Sequence, residues 1–592
     1  MNSGMPNAPD GAKRWMPNEK ILIAQMEQML RLEENQLCPE LEWLYGSYRS
    51  GAEFWHALKN AFDDLMPVQT GSSIFRRYNL YHDFVLRHIN SPAPAMMDYS
   101  PETGFKHITY RELHERALEK SSLWREQGVE PQHTVCVVRS LEPELLVELA
   151  ALLQIGCRAS FLLPEGRRFL QKNVELLAPE HISIHKKNSC LLSGALQEKI
   201  LTEEGKEHNR YHGKGTYFQY APEQTVFAVL DFCAANGPIW KDLRSDTVYL
   251  GALRDGLIAL GLRPGQKYAA PGFHFSDICP MLLLAGLFCG ASYLHMSPKD
   301  IQENPQVVVE NQISAFGVSR VVRNILMEKP VEVESAWQTW FRNPAESADV
   351  DQWRFFSQSL KLTTSYAFNL RWNAPAGGCT LFSVRRKGTA HSGVLPSFAM
   401  NWQLLNPSAT EESLSDFGQM AVLPPGVPED DEKMTNGDMI AGKGNEWLFI
   451  GAGLWNREGE SYPSEKILET LEEAFPRIAF SLVAVPQADA AGDSRIILMV
   501  FHGADEKFSG ESADRKIREI ILQEMGPRFQ PDKIAFLFLF PRWTKDGKVD
   551  HEWCRDGLFT GDLHRKGKDE ICRNLTTMRS YLLQKALNNQ KI

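Results

Sequence analysis

The ten cysteines include no C-x-x-C pair and no even local framework, which excludes a disulfide scaffold and a zinc or iron–sulfur site and reads as reduced thiols in a cytosolic protein. No apolar run reaches the roughly 20 residues a spanning helix needs. The longest, Met281 to Leu294, is interrupted by Gly286 and Gly290 and reads as a buried helix running into a strand. The opening stretch MNSGMPNAPDGAKRWMPNEK lacks the apolar core of a secretory leader. Basic charge is not in excess either: 64 Lys and Arg face 74 Asp and Glu, for a net charge of −10, which argues against a nucleic-acid partner. There is no repeat, no long low-complexity tract, no G-x-S-x-G elbow and no GK[ST] phosphate loop. HISIH (His181–His185) and HNRYH (His208–His212) space two metal ligands each, but no third or fourth ligand is identifiable, so no metal site is assigned.

What is present is a chain of 592 residues, 43% hydrophobic, 23% charged and 10% aromatic, enough to fold as several units with buried cores. NEKILIAQMEQMLRLEENQL, Asn18 to Leu37, spaces its apolar residues as an amphipathic helix that packs on its own domain. From about Ser73, strand and helix patterns alternate: ITYREL into a helix stopped by Gly128, TVCVV (Thr134–Val138) as a buried strand, an apolar helix ending at Gly156, then Val226–Phe232, Leu253–Leu262 and Ala291–His295. That alternation predicts α/β architecture with mostly parallel sheets. Asn406 to Asn445 turns acidic and loop-like. Beyond it lies a small α+β set: a helix over Ser464–Ala474, strands at Phe480–Val485 and Ile496–Phe501, a helix over Asp514–Met525 and a strand at Ile534–Phe540. The expected division is a helical extension over 1–72, a large multi-sheet domain over 73–452, a small α+β C-terminal domain over 453–560 and a basic, helix-prone tail over 561–592.

Several segments together resemble the adenylate-forming superfamily of acyl-CoA synthetases, adenylation domains and luciferases, over roughly residues 73 to 556. Ile108–Leu113 with Gly128–Val129 and Thr134–Val138 matches the opening of its large domain. PGFHFSD (Pro271–Asp277) resembles the substrate-side P-x-F-H-x-x-G segment, keeping His274 as a substrate-pocket residue and carrying Asp277 where Gly is usual. Arg528–Arg555, with PRW, DGK and VD, follows the closing pattern and places Lys548 on the family's catalytic lysine. An ammonium there stabilises the charge that builds as a carboxylate attacks the α-phosphate. KMTNGDM (Lys433–Met439) resembles Y-x-T-G-D-L and gives Asp438 the role of accepting hydrogen bonds from the ribose hydroxyls.

Other segments depart from the pattern. Where the family carries its Gly- and hydroxyl-rich phosphate loop, this chain has DFCAANGPIWK (Asp231–Lys241): Gly237 stays, Asn236 replaces Thr, and Lys241 is offset. YAFNL (Tyr366–Leu370) aligns with Y-G-x-T-E, keeping Tyr366, with Asn369 as a donor and Leu370 where a magnesium-holding Glu belongs. GAGL (Gly451–Leu454) stands at the hinge G-R-x-D. The resemblance implies ATP and Mg²⁺, the latter in doubt at Leu370, with CoA or a carrier protein's phosphopantetheine as acceptor of a small carboxylic acid or acyl-adenylate. Two readings result: a divergent ATP-dependent ligase that activates a fatty or other carboxylic acid, or a catalytically degenerate relative that binds an acyl compound or nucleotide as a scaffold component of a biosynthetic assembly.

Overall fold

The computed structural model describes residues 77–563 together with Met26, Gln28, Arg31, Trp55 and Leu58, apart from 203–216, 232–238, 332–335, 345–349, 389–392, 406–416, 428–432, 444–445, 453–455, 458–459, 462–463, 477, 487–493, 503–507, 544–548 and 560–562. The architecture is α/β: a large multi-sheet body followed by a small α+β unit. Thr134–Val138 is buried at all five residues, which a strand permits only when both sheet faces are covered. It lies between His181–Ile184 and Arg158–Leu162 in a parallel sheet, with Thr225–Asp231 next to Arg158–Leu162 and Ile239–Arg244 closing the edge as an antiparallel hairpin partner.

The larger sheet has a parallel block in which Ser292–His295, Lys267–Ala269, Ile313–Gly317, Trp337–Arg342 and Tyr366–Asn373 lie side by side. Past Tyr366–Asn373 the pairing turns antiparallel through Gly378–Phe382, Gly393–Pro396, Glu446–Ala452 and Met434–Lys443. Helices fill the space between sheets. Tyr110–Glu126 starts on a reciprocal cap of Thr109 and Glu112. Pro143–Ile155 is buried over its whole length from Leu145 onward and ends where Gly156, at φ 96°, returns its N–H to the Leu152 carbonyl.

The C-terminal unit pairs Ala479–Pro486 with Ser494–Phe501 antiparallel and adds Lys533–Leu537 in parallel, under the helices Ser464–Ala474 and Gly510–Glu524. It shares one buried cluster with the helix Arg167–Leu177 of the large body: Phe169, Leu170 and Val174 pack with Leu471, Ile517, Met525 and Phe529. Phe169 and Phe529 bring their ring centroids to 5.3 Å. Arg168 pairs with Glu473, and Lys172 Nζ lies 3.0 Å from Glu469. At Gly166, φ 66°, a Cβ would stand 2.1 Å from the Met525 carbonyl oxygen, so the two backbones meet with no room for a side chain.

Two expectations change. The acidic stretch before Asn445 contains strands at Phe417–Leu423 and Met434–Lys443, because Met420, Val422 and Ile440 are fully buried despite the loop-like composition around them. The helix expected at Leu253 begins at Ser245 and passes into a wider turn at Asp255. Arg254 and Asp255 are buried there as a 2.6 Å ion pair, so charge does not mark the solvent side. Of the Asn18–Leu37 helix, Met26, Gln28 and Arg31 are helical and the rest lies outside the described residues. Among the described residues no helix is long and apolar enough to cross a membrane.

Candidate active site

The parallel strands of the larger sheet end together on one side, the place where open α/β sheets present their ligands. Tyr366–Asn373 is buried at seven of its eight positions, yet carries Arg371. Its Nε lies 3.2 and 3.3 Å from the two carboxylate oxygens of Asp438. Asp438 is fully buried on the strand Met434–Lys443, and Arg371 is only 3% exposed. A terminal guanidinium nitrogen of Arg371 reaches Asp277 at 3.3 Å. Asp277 belongs to the short helix Phe275–Ile278, which His274 precedes as its N-cap residue. The Asp277 amide returns to the His274 carbonyl at 3.2 Å. The structure thus brings His274, Asp277, Arg371 and Asp438 into one neighbourhood, and strand pairing sets Ala452 directly across from Asp438.

Arg371 was not singled out from sequence. A cation inside YAFNLRWN was its signal, since a charge in an otherwise apolar strand is the informative exception. A buried carboxylate beside a guanidinium is a charge-assisted contact. A ribose diol reaching Asp438 would have to share that carboxylate with the guanidinium.

The remaining expected residues scatter. Asn369 is fully buried, with its amide donating to the Gly393 carbonyl at 3.0 Å and its Oδ1 accepting from Arg342 Nε at 2.8 Å. Leu370 is 1% exposed and packs in the main core. Tyr366 starts the strand, five residues and ~17 Å of extended chain from Arg371. Arg31 and Lys387 each stand 5.7 Å from its ring centroid, an arrangement of cations on an aromatic face. Lys241 lies inside the hairpin strand opposite Val229 rather than in the turn. Its neighbour Asp242 is tied to Arg158 at 2.6 Å. Asn236, Gly237 and Lys548 lie outside the described residues. His181 Nε2 meets His133 Nδ1 at 3.3 Å, but no group of three potential ligands occurs among the described residues.

ATP and Mg²⁺, implied by the resemblance, find a poor fit here. The carboxylate expected to accept a ribose diol is engaged by Arg371, the Asn369 amide is engaged in the sheet, and the position expected to hold the metal is the apolar core residue Leu370. A hard cation requires oxygen ligands, and Leu370 supplies none.

No protein-family model matches the chain, and no curated protein matches it. Solved structures do. Acetoacetyl-CoA synthetase from Streptomyces lividans superposes with a TM-score of 0.59 at 15% identity, over 90% of this chain and 93% of that one. NpsA-ThdA, an artificially fused adenylation–PCP di-domain from Klebsiella oxytoca, gives 0.61 at 12% identity, over 78% of this chain and 94% of that one. The chain therefore has the adenylate-forming fold.

Proposed function

We propose that this chain is a repurposed protein on the adenylate-forming fold, a binding or scaffold component that does not activate carboxylates with ATP. The observation that carries the reading is the buried set Asp277–Arg371–Asp438, in which the carboxylate expected to accept a ribose diol is instead held by a guanidinium. The altered phosphate loop, Leu370 and the shared apolar core that holds the C-terminal unit against Phe169 and Val174 support it. Fold outlives activity, so the assignment rests on these side chains and not on the neighbours' chemistry. The ligands to test are a small carboxylic acid, an acyl-adenylate and, given the adenylation–PCP neighbour, a carrier domain bearing phosphopantetheine.

The test is ATP–pyrophosphate exchange across a panel of carboxylic acids, with thermal shifts in ATP–Mg²⁺ and in a non-hydrolysable acyl-adenylate. The reading expects no acid-dependent exchange and no shift with millimolar ATP–Mg²⁺, since a ligand of the native state must raise its melting temperature. Acid-dependent exchange that Lys548→Ala abolishes would overturn it in favour of a divergent ligase.

A further inference from the structure

The described surface carries few large exposed apolar side chains, and they are unevenly spread. Phe538, Phe540 and Trp543 are 56, 48 and 49% exposed within six residues of one another. They continue from Lys533–Leu537, an edge strand of the three-stranded C-terminal sheet. Leu539 between them is buried with Val483, Met499 and Trp553, so the segment is anchored and holds its aromatics outward. Beside it runs an open groove of about 780 Å³ whose lining includes Phe536 and Leu522, the latter 48% exposed.

The edge strand Lys533–Leu537 carries a charge only at its first residue, Lys533, and the run IAFLFLF that begins beside it holds no charge and no proline, so little within it guards the edge. Half of three aromatic side chains of roughly 200 Å² each comes to about 300 Å² per copy. Two copies face to face would remove about 600 Å² of aromatic surface, a fitting core for a stable interface of ~1,200–2,000 Å² with a polar rim. The rim is of mixed sign, with Arg515 and Glu519 side by side on the groove's helix. Mixed charge on one patch complements itself across a two-fold axis, where a patch of one sign would repel its own copy.

The geometry points to a second copy of this chain as the occupant: a two-fold dimer joined through Phe538, Phe540, Trp543 and the adjoining groove of the C-terminal unit. It is independent of whether the protein turns over ATP.

Sedimentation velocity of the full chain between 1 and 50 μM tests it, comparing wild type with Phe538→Glu/Trp543→Glu, with Leu522→Arg, and with Phe355→Glu, which alters an exposed aromatic of the large body. The expected result is a dimer for wild type and Phe355→Glu, with the dissociation constant of the ridge and groove variants raised at least tenfold and their circular dichroism unchanged. Wild type that stays monomeric at 50 μM overturns the proposal. So does a dimer that persists unchanged in folded ridge and groove variants, or one that only Phe355→Glu weakens. If the double variant does not fold, Leu522→Arg alone decides.

Discussion

Replacing Arg371 by methionine keeps most of the side-chain volume and removes a guanidinium that lies against both oxygens of Asp438. Asp277, 18% exposed, can turn to water, but Asp438 is at 0% and cannot. Breaking a buried pair by deleting one partner strands the other charge and costs about 3–5 kcal/mol. At roughly 2–4 °C per kcal/mol for a unfolding unit of 150–250 residues, Arg371→Met should lower the melting temperature at pH 8 by at least about 6 °C in a scanning calorimeter. Adding Asp438→Asn removes the stranded charge, so the double variant should recover at least half of that loss. Acid should help the single variant too, because a buried carboxylate without its cation takes up a proton more readily when folded than unfolded, which favours the folded state as pH falls. A single variant within about 1 °C of wild type, or a double variant no better than the single, would refute the claim that the pair is a buried electrostatic unit.

Three further outcomes are expected. Phe169→Ala deletes a 3%-exposed ring shared by the two units and should cost about 3–5 kcal/mol, with faster amide exchange in Ser464–Ala474 and Gly510–Glu524; Glu473→Ala, which removes the exposed carboxylate facing Arg168, should leave the melting temperature nearly unchanged. Gly166→Ala should destabilise and release the C-terminal unit to limited proteolysis, because it needs φ 66° and puts a methyl against Met525; unchanged digestion would contradict the close approach. Burial pushes the Asp246 carboxyl up to about 7 against the pull of Arg244, so the folded state binds a proton that the unfolded state has lost, and stability contributed by this group falls as pH rises from about 4 to 7. Asp246→Asn keeps the acceptor for the Thr247 amide and should stabilise relative to wild type at pH 8 but not at pH 4, as read from unfolding scans.

The fold was legible because its elements carry their own signals. Thr134–Val138 reads as a buried strand from five consecutive small and β-branched residues, and the helix Ser464–Ala474 from its apolar spacing; both have those limits in the structure. Where local composition and tertiary burial disagree, the reading fails: Phe417–Leu423 and Met434–Lys443 lie amid acidic turn residues, and only cross-strand pairing with Asn401–Leu405 and Glu446–Ala452 makes them strands. The site was legible in part. Asp438 stands at the sheet junction with His274 nearby, but Tyr366 sits at the far end of its strand and Asn369 faces Arg342 and Gly393. A motif fixes which residue types occur in a segment, whereas the end of a strand, and therefore which of eight residues reaches the site, is set by how far its neighbours continue to pair.

Arg371 shows why the surviving residues mislead when taken singly. In isolation Asp438 keeps the form of a diol acceptor, and Asp277 is a single departure at a position where glycine is expected. Together they flank a cation, and the three have a collective logic: a buried guanidinium needs anionic partners as much as a buried carboxylate needs a cation. With an arginine on this strand, Asp438 balances its charge whether or not a nucleotide is ever bound, and an acidic residue at 277 helps to offset the cost of burying it. Asp438 is therefore accounted for by the electrostatics of the sheet junction, and Arg371→Met with and without Asp438→Asn separates that role from ligand binding.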